Sequence, residues 1–165
     1  MRILILSDSH SGLSYMRNWI ERIRPQVLVH LGDYYADGQE MAEEFPQCRM
    51  IQVPGNCDMY RSAPLAQDTL FSMVDGVSFF LTHGHRYGVK SGTAKLLAAA
   101  REARADVVLY GHTHAAECYR DGSGMWVMNP GTCSGYGGSV GLVEIRQGKI
   151  VDCRILWAEN MAEFD

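Results

Sequence analysis

The chain has no apolar run longer than a strand. Its longest stretches, such as Val77 to Leu81 and Val107 to Tyr110, fall far short of the ~20 residues that cross a bilayer as a helix, so no transmembrane helix is expected. Basic charge is not in surplus either. With 15 Lys and Arg against 19 Asp and Glu, the formal net charge is -4, and an electrostatic footprint for a nucleic-acid backbone is missing. The five cysteines are odd in number and form no C-x-x-C pair, which argues for reduced thiols over a disulfide framework or a thiolate metal site. No repeat, low-complexity tract or linker interrupts the 165 residues, a length that predicts one domain spanning 1–165. The apolar opening Ile3 to Leu6 stops at Ser7-Asp8, too soon for a secretory h-region, and the expectation is a cytoplasmic protein.

A composition of 47% hydrophobic and 21% charged residues is that of a folded globular chain. Residues 2–6 read as a strand. Met16, Trp19, Ile20 and Ile23 then recur at helical spacing before Pro25. Val27 to Leu31 and Arg49 to Val53 read as strands around a short helix from Asp37 to Phe45. Val77 to Thr82 is another strand, followed by a helix over Ser91 to Ala105 and the strand Val107 to Tyr110. Beyond residue 114 the pattern becomes antiparallel hairpins: Cys118 to Arg120 with Met125 to Met128, and Val140 to Ile145 with Ile150 to Leu156, turning at Asp121-Gly122 and Gln147-Gly148. Interleaved β and α followed by strands predicts an α/β (α+β) chain, with two sheets packed face to face and helices outside.

Five of the six histidines fall in three clusters, Asp8-Ser9-His10, His83-Gly84-His85 and Gly111-His112-Thr113-His114. Each begins where a predicted strand ends, as do Gly32-Asp33 and Gly55-Asn56-Cys57-Asp58. Strand C-termini are where α/β sheets place ligands, so five loops can converge on one crevice. Imidazole, carboxylate and carboxamide suit Mn, Fe, Zn, Ni or Co. Seven such donors exceed the three or four that one zinc takes, which points to two ions and a bridging carboxylate. Gly32, Gly55, Gly84 and Gly111 suit tight turns or close backbone approach. Taken singly, Asp8 or Asp33 reads as a helix cap or turn former, and an isolated H-x-H as a solvated pair. His30 reads as a packed or ligand-supporting histidine.

In this order, D-x-H, G-D, G-N-x-[DE], H-G-H and G-H-x-H, the motifs resemble those of the calcineurin-like metallophosphoesterase superfamily. The Gly55-Asn56-Cys57-Asp58 version and the small size are most similar to the YfcE-like phosphodiesterase subgroup. The resemblance runs from Ile3 through Asn129-Pro130-Gly131 to the last hairpins. It implies the metallophosphoesterase fold, two mixed sheets sandwiched between helices. By position, it also implies that Asp8, His10 and His114 hold one metal, that Asn56, His83 and His112 hold the other, and that Asp33 bridges them. Many members carry a histidine where Cys57 stands, so protonation of the leaving group is left unassigned.

The implied function is hydrolysis of a small phosphodiester by a hydroxide bridging two divalent ions, its pKa lowered from 15.7 toward ~7. Manganese is the expected metal, with Zn, Ni, Fe or Co as alternatives. With both ions and the hydroxide in place the site carries about one positive charge; without metal it repels phosphate. His85 is the first candidate to contact phosphate or protonate the leaving oxygen, and otherwise a hydrogen-bond donor behind the ligands. Cys57 is a substrate contact or a small buried spacer. Tyr60, Arg61 and Phe71 form a cleft wall or an ordinary loop, and Gly131 to Gly138 with Tyr136 lines the site or a homo-oligomer contact. Two other readings stay open: a phosphomonoesterase, and a metal-binding scaffold without catalysis, since a retromer scaffold subunit has this fold. Membrane and nucleic-acid partners are not expected.

Overall fold

Every residue from Ile3 to Leu6 is apolar because both faces of the first strand are covered. A computed structural model describes residues 1–58 and 66–160. In it β1 (Arg2–Leu6) turns Ile3 and Ile5 toward a facing sheet, and Leu4 and Leu6 toward helices. It pairs in parallel with β2 (Val27–His30), and β2 with β3 (Arg49–Gln52). The crossovers are α1 (Leu13–Ile23), whose Met16, Trp19, Ile20 and Ile23 are buried, and α2 (Tyr35–Glu44). Arg24, in the left-handed region, closes α1 before Pro25 ends it.

The second sheet holds β4 (Thr69–Val74), β5 (Val77–Thr82), β6 (Val107–Leu109), β7 (Glu117–Arg120) and β8 (Trp126–Asn129), in the order β4-β5-β6-β8-β7. Helix α3 (Ala94–Glu102) covers its outer face, with Leu96 and Ala100 against Phe80, Val108 and Val127. The last hairpin, β9 (Ser139–Arg146) and β10 (Lys149–Trp157), returns to the first sheet, giving β10-β9-β1-β2-β3. Ile5, Val29, Leu81, Leu109, Met128 and Val143 fill the space between the sheets. The layers are therefore helix, sheet, sheet, helix: the metallophosphoesterase sandwich.

The structure differs from the sequence reading at one helix and adds two features to it. The expected helix from Ser91 begins at Ala94, because Val89–Ser91 is a separate 3₁₀ turn and Gly92 breaks the chain at φ +129°. Strand β4 had no expectation at all: its Phe71 and Met73 point to solvent, 51% and 53% exposed, so apolar residues stand on both faces and period-two alternation is lost. The final hairpins are antiparallel within themselves, but they part company, β8 joining β6 in parallel and β9 joining β1 antiparallel. Among the described residues no helix is long and apolar enough to cross a membrane.

Candidate metal centre

Parallel strands send the loops after β1, β2 and β3 to one edge of the first sheet, and those after β5 and β6 to the matching edge of the second. Asp8, His10, Asp33 and His114 meet there, each offering a ligand atom within 4.8 Å of the others. His83, Asn56 and His112 close the other side. His83 Nε2 lies 3.1 Å from Asn56 Oδ1, 3.2 Å from His112 Nδ1 and 3.5 Å from Asp33 Oδ1. The structure thus gathers all seven residues expected as ligands around Asp33.

Close backbone approach permits this. At Gly55 an added Cβ would strike Asp33 Oδ1, and at Gly111 it would strike Ser7 Oγ. Of the four glycines singled out in the sequence, Gly32 and Gly84 have positive φ, whereas Gly55 and Gly111 serve by lacking a side chain.

The donors are arranged for a cation. Fully buried Asp8 accepts at Oδ2 from Ser7 Oγ (2.5 Å) and the His112 amide (3.2 Å). Its Oδ1 has no hydrogen-bond partner among the described residues. His114 Nε2 stands 3.1 Å from that oxygen, a distance that invites a hydrogen bond, yet it is not aligned to donate one. A buried carboxylate oxygen left bare costs desolvation energy that a metal ion would recover. His83 makes the same argument. Its Nδ1 is 2.7 Å from the Leu31 carbonyl, which can only accept, so Nδ1 carries a proton there while Nε2 faces Asn56 Oδ1, His112 Nδ1 and Asp33 Oδ1. Four nitrogen and oxygen atoms gathered around one point suit a metal ion.

Burial pushes the Asp33 carboxyl up, but the His83 charge and the Cys57 amide, 3.0 Å from Oδ1, outweigh it and hold it below the usual range. Burial and the neighbouring His83 hold the His112 and His85 rings down, which favours the neutral imidazole that binds metal. The His85 ring centroid lies 5.5 Å from His83 and 6.1 Å from His112, and neither ring nitrogen has a partner among the described residues. Cys57 is exposed, not a buried spacer, and burial with the nearby Asp33 pushes its thiol pKa up. Phe71 lies in β4, while Tyr60 and Arg61 fall outside the described residues.

Two supporting acids had no expected role. Asp58 accepts from the Tyr34 and Tyr35 amides at Oδ1 (2.9 and 2.8 Å) and from the Gly55 amide at Oδ2 (2.8 Å), tying the Asp33 loop to the Asn56 loop. Asp37 accepts from Ser9 Oγ (2.6 Å) and the Ser11 amide (2.8 Å), holding the Asp8-His10 loop. His30 Nε2 is 3.1 Å from the same Ser9 Oγ, so this histidine supports the ligand loops from beneath. Asn129 steadies the last loop by donating to the Gly111 carbonyl and Thr113 Oγ1.

Fold and donor set together define a cluster that could hold metal at the strand ends of a two-sheet sandwich. The chain belongs to the calcineurin-like phosphoesterase superfamily, whose domain profile matches residues 1–148. It is 30% identical over 150 residues to phosphodiesterase MJ0936 of Methanocaldococcus jannaschii, covering 82% of this chain and 86% of that one. To phosphodiesterase YfcE of Escherichia coli it is 28% identical over 155 residues, covering 81% and 80%. Its fold resembles that of a predicted phosphoesterase from Streptococcus pneumoniae (TM-score 0.76, 24% identity, 96% and 90% covered). It also resembles Vps29 from Entamoeba histolytica complexed with zinc (TM-score 0.67, 21% identity, 96% and 100% covered).

Proposed function

We propose that this chain is a metal-dependent phosphodiesterase acting on a small phosphodiester with two divalent cations, manganese first among them. The observation that carries the reading is the convergence of ligand-type atoms: Asp8 Oδ1, buried without a hydrogen-bond partner, and His83 Nε2 beside Asn56 Oδ1, His112 Nδ1 and Asp33 Oδ1. Asp8, His10 and His114 would hold one ion, and Asn56, His83 and His112 the other, with Asp33 between them. Bound there, the ions would supply Lewis acidity to the phosphoryl oxygens and lower the pKa of a water toward ~7. His85, whose two ring nitrogens are buried without a partner beside the His83-His112 pair, would hydrogen-bond a phosphoryl or leaving oxygen. Cys57 keeps its proton and reaches solvent at the rim, a substrate contact and not a nucleophile.

The test is hydrolysis of an aryl phosphodiester beside the matching monoester, with chelator-stripped protein titrated with Mn²⁺, Zn²⁺, Ni²⁺ and Mg²⁺. Diester turnover should require metal and exceed monoester turnover, and Asp33→Ala should lower it at least ~100-fold. Dominant monoester turnover would change the substrate class. The likeness to zinc-bound Vps29 favours one second reading, a metal-holding interaction module, which metal binding without any hydrolysis would support.

A further inference from the structure

The five cysteines, read from the sequence as reduced thiols, are not equivalent in space. Cys48 donates to the Pro25 carbonyl and Cys133 is fully enclosed, while Cys57 stands exposed at the metal centre. Cys118 and Cys153 lie side by side. Cys118 is on β7, an edge strand of the second sheet, and Cys153 on β10, an edge strand of the first. Their Sγ atoms are 3.5 Å apart, and Cys118 Sγ is also 3.4 Å from the Cys153 carbonyl oxygen.

A backbone irregularity brings them together. In an unbroken strand Ile150 and Cys153, three residues apart, would face opposite sides of the sheet. The pairing of β10 with β9 shifts between Ile150 and Asp152. That bulge lets both Ile150 and Cys153 face the space between the sheets, where Cys118 also packs. The sulfurs are in van der Waals contact and need to close by about 1.5 Å to reach the ~2.05 Å of a disulfide.

We propose that Cys118 and Cys153 form a reversible disulfide site, oxidised by a peroxide, that clips the two sheets together at their open edges. Cys118 is partly exposed and Cys153 buried, so the oxidant meets Cys118 first. The hydrogen bond from Cys153 also lowers the Cys118 thiol pKa, and that same contact, with burial, raises the thiol of Cys153. The Cys118 thiolate attacks one peroxide oxygen and the O–O bond breaks, giving a sulfenic acid and hydroxide, which takes up the thiol proton as water. The Cys153 sulfur then attacks Cys118 Sγ. The S–O bond breaks, and the second hydroxide leaves as water with the Cys153 proton. Two thiols lose two electrons and one peroxide gains them. A thiol reductant reverses the bond.

The two residues are 35 apart in sequence, so the clip closes a loop of useful size in the unfolded chain and should raise Tm by on the order of 5–10 °C. The experiment treats the reduced, purified chain with a small excess of hydrogen peroxide, alkylates the remaining thiols and digests without reductant. Mass spectrometry should find a peptide pair linked through Cys118 and Cys153, lost on adding dithiothreitol and accompanied by the rise in Tm. Cys118→Ser and Cys153→Ser should each abolish the pair, whereas Cys57→Ser should keep it. Should either single variant fail to fold, the linked pair from the parent chain decides. Recovery of both residues alkylated, or of Cys118 as a sulfinic acid beside a free Cys153, would overturn the proposal.

Discussion

Asp8, His10, Asp33, His112 and His114 all have positive φ, between +44° and +70°. For residues with a side chain this conformation costs roughly 1–3 kcal/mol each, and asparagine, aspartate and histidine tolerate it best. The turns aim side chains from three strand ends, those of β1, β2 and β6, at one point, and hydrogen bonds such as Asp8 N to the Gly32 carbonyl (3.0 Å) and Thr132 Oγ1 to the Asp8 carbonyl (2.9 Å) maintain them. Beneath the site His30 is wholly buried, and desolvation lowers its pKa from 6.5 to about 4. The unfolded chain binds this proton first as pH falls, so the neutral ring contributes stability that is complete above pH 6.5 and lost between 6.5 and about 4. The shift corresponds to about 3 kcal/mol. In chelator-treated protein, urea midpoints measured from pH 7 to pH 4 should fall steeply over that window, and less steeply in His30→Asn.

At the scale of elements, the site is a set of loop ends and its rigidity comes from cross-loop bonds. Asp58 fastens the Asp33 and Asn56 loops through three backbone amides. Asp58→Ala should leave those amides unpaired, cost about 2–4 kcal/mol in urea unfolding and weaken metal binding some 10–100-fold by calorimetry. Retained metal affinity would show that the two loops hold their positions without it. The five ligand segments were legible because each is a dense run of donors where a strand's apolar pattern stops. The tethering roles of Asp58, though it closes the Gly55-Asn56-Cys57-Asp58 motif, and of Asp37 were not. A single acid beside a turn or in the first turn of a helix looks like an ordinary cap or dipole partner, and only the folded chain shows which amides it meets. Strand β4 escaped for a different reason, its exposed Phe71 and Met73 imitating a core face.

Over the whole molecule, the unpartnered Asp8 oxygen and the gathered ligand atoms at the mouth of the sandwich offer a cation a site that the unfolded chain lacks. A divalent ion at about 100 times its Kd should therefore stabilise the chain by ~2.7 kcal/mol per site, or about 5–10 °C in Tm. Scanning calorimetry with and without Mn²⁺ measures this, and Asp33→Ala should lose most of the shift. What the sequence alone determined is local in origin. Periodicity named most strands and the helix that covers β1, and the strand-end clusters of Asp, His and Asn marked the chemistry and, with their order, the family. The tertiary structure decided which sheet each final hairpin joins, that the other six ligand residues meet around Asp33, and that Cys118 lies against Cys153. Those facts depend on pairs far apart in sequence, such as the His112 amide on Asp8, 104 residues away, and Arg2 opposite Glu144 where β9 joins β1. A hydrophobic period of two or 3.6 residues carries information about a strand or a helix, but none about which distant partner its polar and sulfur atoms will find once the sheets close.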